Sequence, residues 1–427
     1  MKKILIISPY FPPVNAADMQ RVRMSLPYFS KFGWDTEVVA VDENYSDLLK
    51  DELLLQSVPV EIKVHKVKAL NKKWTSKLGL GSLALRSLPY FLKKVNLLLN
   101  TNKFHLIYFS TTQFPVCILG AYWKRKFKIP YVIDMQDPWH SNYYLDKPKG
   151  QRPKKYWFSY RLNKYLEPRA IKYVDGLIAV SENYISDLKD RYPKIRNVPS
   201  ATITFGVFET DFEIAAVNKS KFDALLLPEF INIVYIGRGG IDMHRAITPV
   251  FEALKKKKAS QPQVVNKLKF YFIGTSYAVN GKGTPTILPL AKHYGVDDNV
   301  IEITDRISYY HTLATLQMAD ALFIPGSDDP KYTASKVYPY LLTRRPLLAI
   351  FNSQSSALNI MGEYGVKHFY SFDKTIDLEC QIDNFLNEII NGNLVQSAYN
   401  NEAIKKYSAE IMTKRQCDLF DQIITKT

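Results

Sequence analysis

Short apolar runs rich in β-branched and aromatic residues recur along the chain, each followed by a stretch of helical periodicity. This alternation constrains the fold more than any other feature. Residues 3–8 (Lys-Ile-Leu-Ile-Ile-Ser), 36–41, 105–110, 131–134 and 176–181 form a first series, and residues 231–237, 268–274, 300–303, 321–325 and 347–351 a second. Runs that are apolar throughout, rather than alternating, suit strands buried on both faces, and strands separated by helices form βαβ units. The predicted fold class is α/β: two Rossmann-like, doubly wound parallel-sheet domains facing a cleft at the carboxyl ends of their strands. Residues 198–212 carry Pro199, Gly206 and no periodicity and are predicted to be a linker. The expected domains are 1–205 and 206–400, with 401–427 a C-terminal helix able to pack back on the first. Early in the chain, Pro27 is read as a kink and Gly33 as the C-cap of a helix ending near Phe32. Ser181 and Glu182 are read as capping the helix after the fifth run.

Composition narrows the setting. The 427 residues suffice for two domains, and 46% hydrophobic with 23% charged residues is the balance of a globular chain. Cys117, Cys380 and Cys417 form no CxxC pair, which excludes a disulfide framework and a thiolate zinc site and fits a reducing compartment. The apolar run after Met1-Lys2-Lys3 is too short for a signal-peptide core, and residues 104–123 read as strand plus helix rather than a bilayer span.

The net charge of +16 lies wholly in the first half. Residues 1–205 hold 33 Lys and Arg against 17 Asp and Glu, whereas residues 206–427 hold 24 of each. Residues 62–133 contain 14 basic and no acidic side chains. One half therefore meets an anionic partner. A basic surface serving solubility is the plain alternative. No nucleic-acid motif is present, although Tyr156, Trp157, Phe158 and Tyr160 interleave with the charge. Residues 74–78 and 83–99 mix Lys with Trp, Leu, Phe and Tyr in the manner of an interfacial amphipathic helix, which favours an anionic membrane surface.

Three phrases occur in fixed order: Ile7-Ser8-Pro9-Tyr10-Phe11-Pro12-Pro13, Tyr173-Val174-Asp175-Gly176-Leu177-Ile178-Ala179-Val180-Ser181, and Ser335-Lys336-Val337-Tyr338-Pro339-Tyr340-Leu341. In that order the chain resembles the GT-B glycosyltransferases of family 4 type, bacterial enzymes of cell-surface polysaccharide synthesis. The resemblance implies a nucleotide-sugar held by the second domain, an acceptor held by the first, and transfer with retention that needs no metal or other cofactor. It further implies a place on the inner face of the cytoplasmic membrane and a lipid-linked or other anionic saccharide acceptor.

A departing diphosphate gains charge as the glycosidic bond stretches, and without a metal it needs cations and amide dipoles. Gly237-Arg238-Gly239-Gly240 follows the first run of the second series, where bare backbone and an Arg fork suit phosphate. A tight turn is the plain alternative. The family pairs this Arg with a Lys five positions on. Here Met243 stands at that position, and Arg245 is the next cation. Thr333, Ser335 and Lys336 are expected to open a helix toward an anion. The family's two carboxylates fall on Lys331 and Pro339, leaving Asp328 and Asp329 for donor hydroxyls. Arg306 is carried over as a nucleobase contact. In the first domain, Asn15, Ala16 and Ala17 stand in for a small-residue loop under the sugar, with Arg21 following toward phosphate. Asp137 is the candidate catalytic group toward the acceptor hydroxyl, with Gln136 where relatives carry His or Arg and His140 nearby. The missing carboxylates also admit a non-catalytic relative acting as a scaffold in a polysaccharide assembly complex.

Overall fold

The computed structural model describes residues 1–140, 156–278, 281–329, 337–393 and 400–426. They divide into two compact units, Met1–Gly206 with Tyr407–Thr427, and Val207–Lys406.

The first unit is built on a seven-stranded sheet in the order β3-β2-β1-β4-β5-β6-β7, with every pairing parallel. Its strands are β1 (Lys2–Ile7), β2 (Trp34–Val41), β3 (Lys63–Val67), β4 (Leu106–Ser110), β5 (Tyr131–Met135), β6 (Gly176–Ala179) and β7 (Ser200–Thr202). Ile4, Leu5, Ile6 and Ile7 are fully buried, each contributing roughly 1.5–3 kcal/mol of transfer free energy. The second unit holds a six-stranded parallel sheet, β10-β9-β8-β11-β12-β13. These strands are β8 (Ile231–Ile236), β9 (Leu268–Ile273), β10 (Val300–Ile303), β11 (Ala321–Pro325), β12 (Leu347–Phe351) and β13 (His368–Ser371). The two doubly wound sheets are those read from the apolar runs.

Several local expectations are corrected. The helix before Gly33 does not run through Pro27. It spans Gln20–Ser25; Leu26 keeps helical backbone at φ −51°, ψ −41°, but Pro27 has no N–H with which to continue the hydrogen-bond ladder. A separate short turn, Ser30–Phe32, then ends on Gly33 at φ 80°. The segment 198–212 is not purely a linker, since β7 lies within it and pairs with β6. Ser181 makes no side-chain cap to the helix Glu182–Arg191. The terminal helix is two helices, Asn401–Lys406 in the second unit and Ala409–Lys426 in the first. The latter completes the first unit's core: Phe420 packs on Phe29, Trp34 and Tyr108. A Cβ on Gly176 would lie 2.3 Å from the Ile423 Cδ1, so the bare glycine in β6 leaves room for the end of that side chain.

The helix Leu83–Thr101 also differs from its reading. Leu83, Ala84, Phe91, Val95, Leu98 and Leu99 belong to the core over the sheet. Its apolar stripe is therefore already covered by protein, and it offers no free face to a bilayer. Among the described residues no helix is long and apolar enough to cross a membrane.

Candidate active site

In an open parallel sheet, ligands bind where strand order reverses, outside the carboxyl ends of the strands. In the second unit this switch point lies between β8 and β11, so the loops after those two strands line it. The loop after β8 is Gly237-Arg238-Gly239-Gly240-Ile241-Asp242, and that after β11 begins Gly326-Ser327-Asp328-Asp329.

One carboxylate ties these loops together. Asp242 takes both arms of the Arg238 guanidinium, Nη1 to Oδ1 at 2.9 Å and Nη2 to Oδ2 at 2.6 Å. The buried Ser327 hydroxyl donates to Asp242 Oδ2 at 2.6 Å, and the Asp328 amide donates to the Asp242 carbonyl at 2.8 Å. The Arg238 hydrogen bonds, joined by that of Ser327, hold the Asp242 pKa below the ordinary carboxylate value against the opposing effect of burial. A bidentate pair of this kind fixes direction as well as charge, so Arg238 is anchored at the switch point. Sequence reasoning named Arg238 but missed Asp242, although the acid four residues downstream was the signal.

The glycines act otherwise than expected. None of the four residues 237–240 lies in the left-handed region, Gly240 being extended at φ 173°. A Cβ on Gly239 would lie 2.7 Å from the Thr286 hydroxyl and 2.9 Å from the Thr275 Cβ, and one on Gly240 would lie 2.4 Å from Asp242 Oδ1. They make room for protein neighbours. The Gly237 and Gly239 amides are bonded to the carbonyls of Ile273 and Thr275, extending the β8–β9 ladder. The expectation of bare backbone amides facing a phosphate is thus corrected for these two residues.

The other cations lie on the same edge of this unit. Arg245 is exposed in the first turn of the helix His244–Ser260 and sits over the Phe372 ring at 4.7 Å. Arg306, after β10, sits over the exposed Tyr277 ring at 4.4 Å. Asp328 and Asp329 are exposed after β11. Thr333, Ser335 and Lys336, like Lys331, lie outside the described residues. Pro339 lies within the helix Val337–Leu342.

The first unit's switch point lies between β1 and β4. Here too an aspartate bridges the two loops. Buried Asp18 accepts hydrogen bonds from the Thr111 hydroxyl, the Thr112 amide and the Thr112 hydroxyl at 2.9, 2.9 and 3.1 Å. Burial raises its pKa despite these donors. Asn15 and Ala17 reach the surface beside it while Ala16 is buried in extended backbone at φ −120°, a conformation that requires no glycine.

Arg21 is corrected. It is completely buried, with its Nε 2.7 Å from Asp134 Oδ2, and it donates to the carbonyls of Ile203 and Thr204 at 2.7 and 3.2 Å. Asp134 also receives Ser110 at 2.8 Å, Gln136 at 3.1 Å and Tyr108 at 3.2 Å. Arg21 is a structural cation joining the first helix, β5 and the chain after β7. Gln136, likewise buried, bonds Ser110 and the Asp18 carbonyl.

Asp137 follows β5 at the same edge. It is solvent-exposed, yet enough protein flanks its carboxyl that lost hydration raises its pKa, and the Asp18 charge raises it further. Tyr184 also faces this group, its own pKa raised by burial and by Asp137. A carboxylate moved toward neutral pH suits a proton acceptor. His140 is buried against Tyr160, ring centroids 4.7 Å apart, and burial lowers its pKa. Among the described residues no His, Cys, Asp and Glu cluster forms a metal site.

Known proteins agree with this architecture. Residues 29–207 match the model of Glycosyltransferase Family 4. No curated protein matches the chain. Among solved structures, sucrose-phosphate synthase from Thermosynechococcus elongatus is 13% identical, with each chain fully covered and a TM-score of 0.59. Anabaena HepE, solved with UDP-glucose, is 16% identical over 100% of this chain and 99% of its own, with a TM-score of 0.52. WaaG, a glycosyltransferase involved in lipopolysaccharide biosynthesis, is 12% identical over 98% and 99%, with a TM-score of 0.53. The family match lies over β2 to β7 of the first sheet, less than half of the chain, and the likeness to these solved structures, which runs the length of the chain, shows the GT-B fold of two parallel α/β sheets.

Proposed function

We propose that the protein transfers a sugar, with retention, from a nucleotide-sugar bound at the β8/β11 switch point to a lipid-linked or other anionic acceptor in cell-surface polysaccharide synthesis. The observation that carries this reading is the Asp242-anchored Arg238 at that switch point, a fixed cation where a departing diphosphate needs one. Arg245 and Lys336 supply further positive charge, Arg306 meets the base, and Asp328 and Asp329 meet donor hydroxyls. Support from relatives is the UDP-glucose bound to HepE and the UDP bound to the Staphylococcus aureus protein TarM. A screen of UDP-, GDP-, dTDP- and CMP-sugars tests the reading: slow hydrolysis of at least one without acceptor supports it, and turnover of none overturns it. Nucleotide-sugar affinity also decides against the scaffold alternative, which the Lys331 and Pro339 replacements favour.

Asp137 is proposed to receive the acceptor proton, or to hold the acceptor hydroxyl, in its ionised form. Because its pKa is raised, activity falls with decreasing pH at a higher pH than an ordinary Asp would give. Asp18 is one cause of that rise, so Asp18→Asn is expected to move the acid limb of the pH profile of kcat/KM to lower pH. An unmoved limb would show that Asp137 does not set it.

The acceptor side is proposed to work at an anionic membrane surface. Trp74 and Trp157 are 71% and 64% exposed, with Lys77 5.2 Å and Arg161 5.7 Å from their rings. The segments carrying them adjoin, since a Cβ on Gly79 would lie 2.7 Å from the Phe158 ring. Exposed indoles flanked by cations suit a headgroup region, each basic residue there contributing about 1 kcal/mol. Co-sedimentation with vesicles is expected to rise with phosphatidylglycerol content, to fall with salt, and to drop several-fold in Trp74→Ala/Trp157→Ala. Equal binding to neutral vesicles would contradict this role.

A further inference from the structure

The amino edge of the second sheet carries a groove that the transfer reaction does not use. It lies between β13 and the helix Leu378–Ile390, and its volume is about 320 Å³, at the small end of ligand pockets. The helix is held to the core by Ile382, Phe385, Leu386 and Ile389. Its next stripe, facing the groove, consists of Gln381, Asn384, Asn387 and Asn391 at spacings of three and four residues. A helix face that only met water would more commonly carry Lys and Glu; this one presents amides.

The charged groups of the groove are consumed internally. Glu388 pairs with Lys367 at 2.6 Å and with His368 Nε2 at 3.0 Å, and His368 Nδ1 lies 2.9 Å from the Tyr370 hydroxyl. Burial keeps the His368 pKa below the ordinary imidazole value, so the ring is neutral at pH 7. Among the described lining residues the charges of Lys367 and Glu388 cancel, so the groove carries no net positive charge that would favour an anion. Amides donate and accept from one rigid plane, which matches neighbouring hydroxyl groups that also do both; of these four, Asn387 donates to Asp383 at 2.8 Å and Gln381 Oε1 accepts from the Tyr370 hydroxyl at 3.4 Å, while Asn384 and Asn391 lie exposed. The Tyr370 side chain, also lining the groove, adds an aromatic surface for the C–H face of a ring.

We propose that this groove is a binding site for a neutral saccharide. It is separate from the donor site, because His368 opens β13 whereas Arg238, Arg306 and Asp328 follow the carboxyl ends of β8, β10 and β11 in a parallel sheet. A saccharide held there is not the reacting group; it tethers a glycan and raises the local concentration of whatever that glycan carries.

The test is saturation-transfer NMR on the full chain with glucose, galactose, mannose, N-acetylglucosamine, maltose and cellobiose at millimolar concentration. At least one probe is expected to bind. Asn384→Ala/Asn391→Ala, at two exposed positions, is expected to weaken it tenfold or more, about 1.4 kcal/mol, with nucleotide-sugar turnover unchanged. Arg238→Ala is expected to leave the signal in place. Absence of binding by every probe, a signal indifferent to the double substitution, or loss of the signal in Arg238→Ala would each overturn the assignment. None of these results bears on the donor reading, which has its own assay.

Discussion

Arg238→Ala is expected to lower nucleotide-sugar turnover by about 10²- to 10³-fold, the loss that follows removal of one preorganised group from a developing negative charge. Two effects add. The cation that meets the diphosphate disappears, and Asp242, whose carboxylate now bonds both arms of Arg238, is left as an uncompensated negative charge beside the same anion. Arg238→Lys restores the charge without the fork, and a single ammonium cannot bond both Asp242 oxygens in one plane. Its expected turnover lies between wild type and alanine. The parallel change Asp242→Asn removes the repulsion while leaving a side chain that can still accept from Ser327. Similar turnover in Arg238→Ala and wild type would show that the leaving group is stabilised elsewhere.

Arg21→Met is expected to destabilise the first unit by about 3–5 kcal/mol, since removing one partner of a buried pair leaves the other charge without compensation. Arg21 and Asp134 are both completely buried. The loss extends beyond the pair, because the carbonyls of Ile203 and Thr204 also lose their donor. Urea unfolding followed by tryptophan fluorescence measures the change through the midpoint at constant slope. A change under 1 kcal/mol would mean that water or a rearranged Gln136 replaces the guanidinium. A role on substrate phosphate instead predicts unaltered stability with a raised KM, so the experiment also decides between the two functions assigned to this residue.

What could be read from the chain alone follows burial. Strands β1, β2, β4, β5 and β6, and β8 to β12, carry apolar runs because most are covered on both faces, and each was legible. Strands β3 (Lys-Val-His-Lys-Val), β7 (Ser-Ala-Thr) and β13 (His-Phe-Tyr-Ser) escaped, and all three are sheet edges. These three edge strands are short and polar, so they lack the signal that marks their neighbours, whereas the fourth edge, β10, keeps Val300, Ile301 and Ile303 and was legible. The helix Leu83–Thr101 failed for a different reason: an apolar stripe reads the same whether it covers a sheet or a bilayer. Charged partners were least legible. Arg21 and Arg23 look like surface residues until the fold brings Asp134 to the one and Ser57, 34 positions away, to the other. At the candidate site the sequence disclosed Arg238 and Asp137 through their place after strands. The aspartates that bridge the two switch points, Asp18 and Asp242, emerged only once the loops they join were seen together.

The most direct measurement is calorimetric titration of wild type and Arg238→Ala with UDP-, GDP-, dTDP- and CMP-sugars. Saturable binding of at least one by the wild type, weakened tenfold or more by the substitution, is the predicted result. Binding of none of them, or equal affinity in both proteins, would contradict the assignment of the β8/β11 switch point as the diphosphate site.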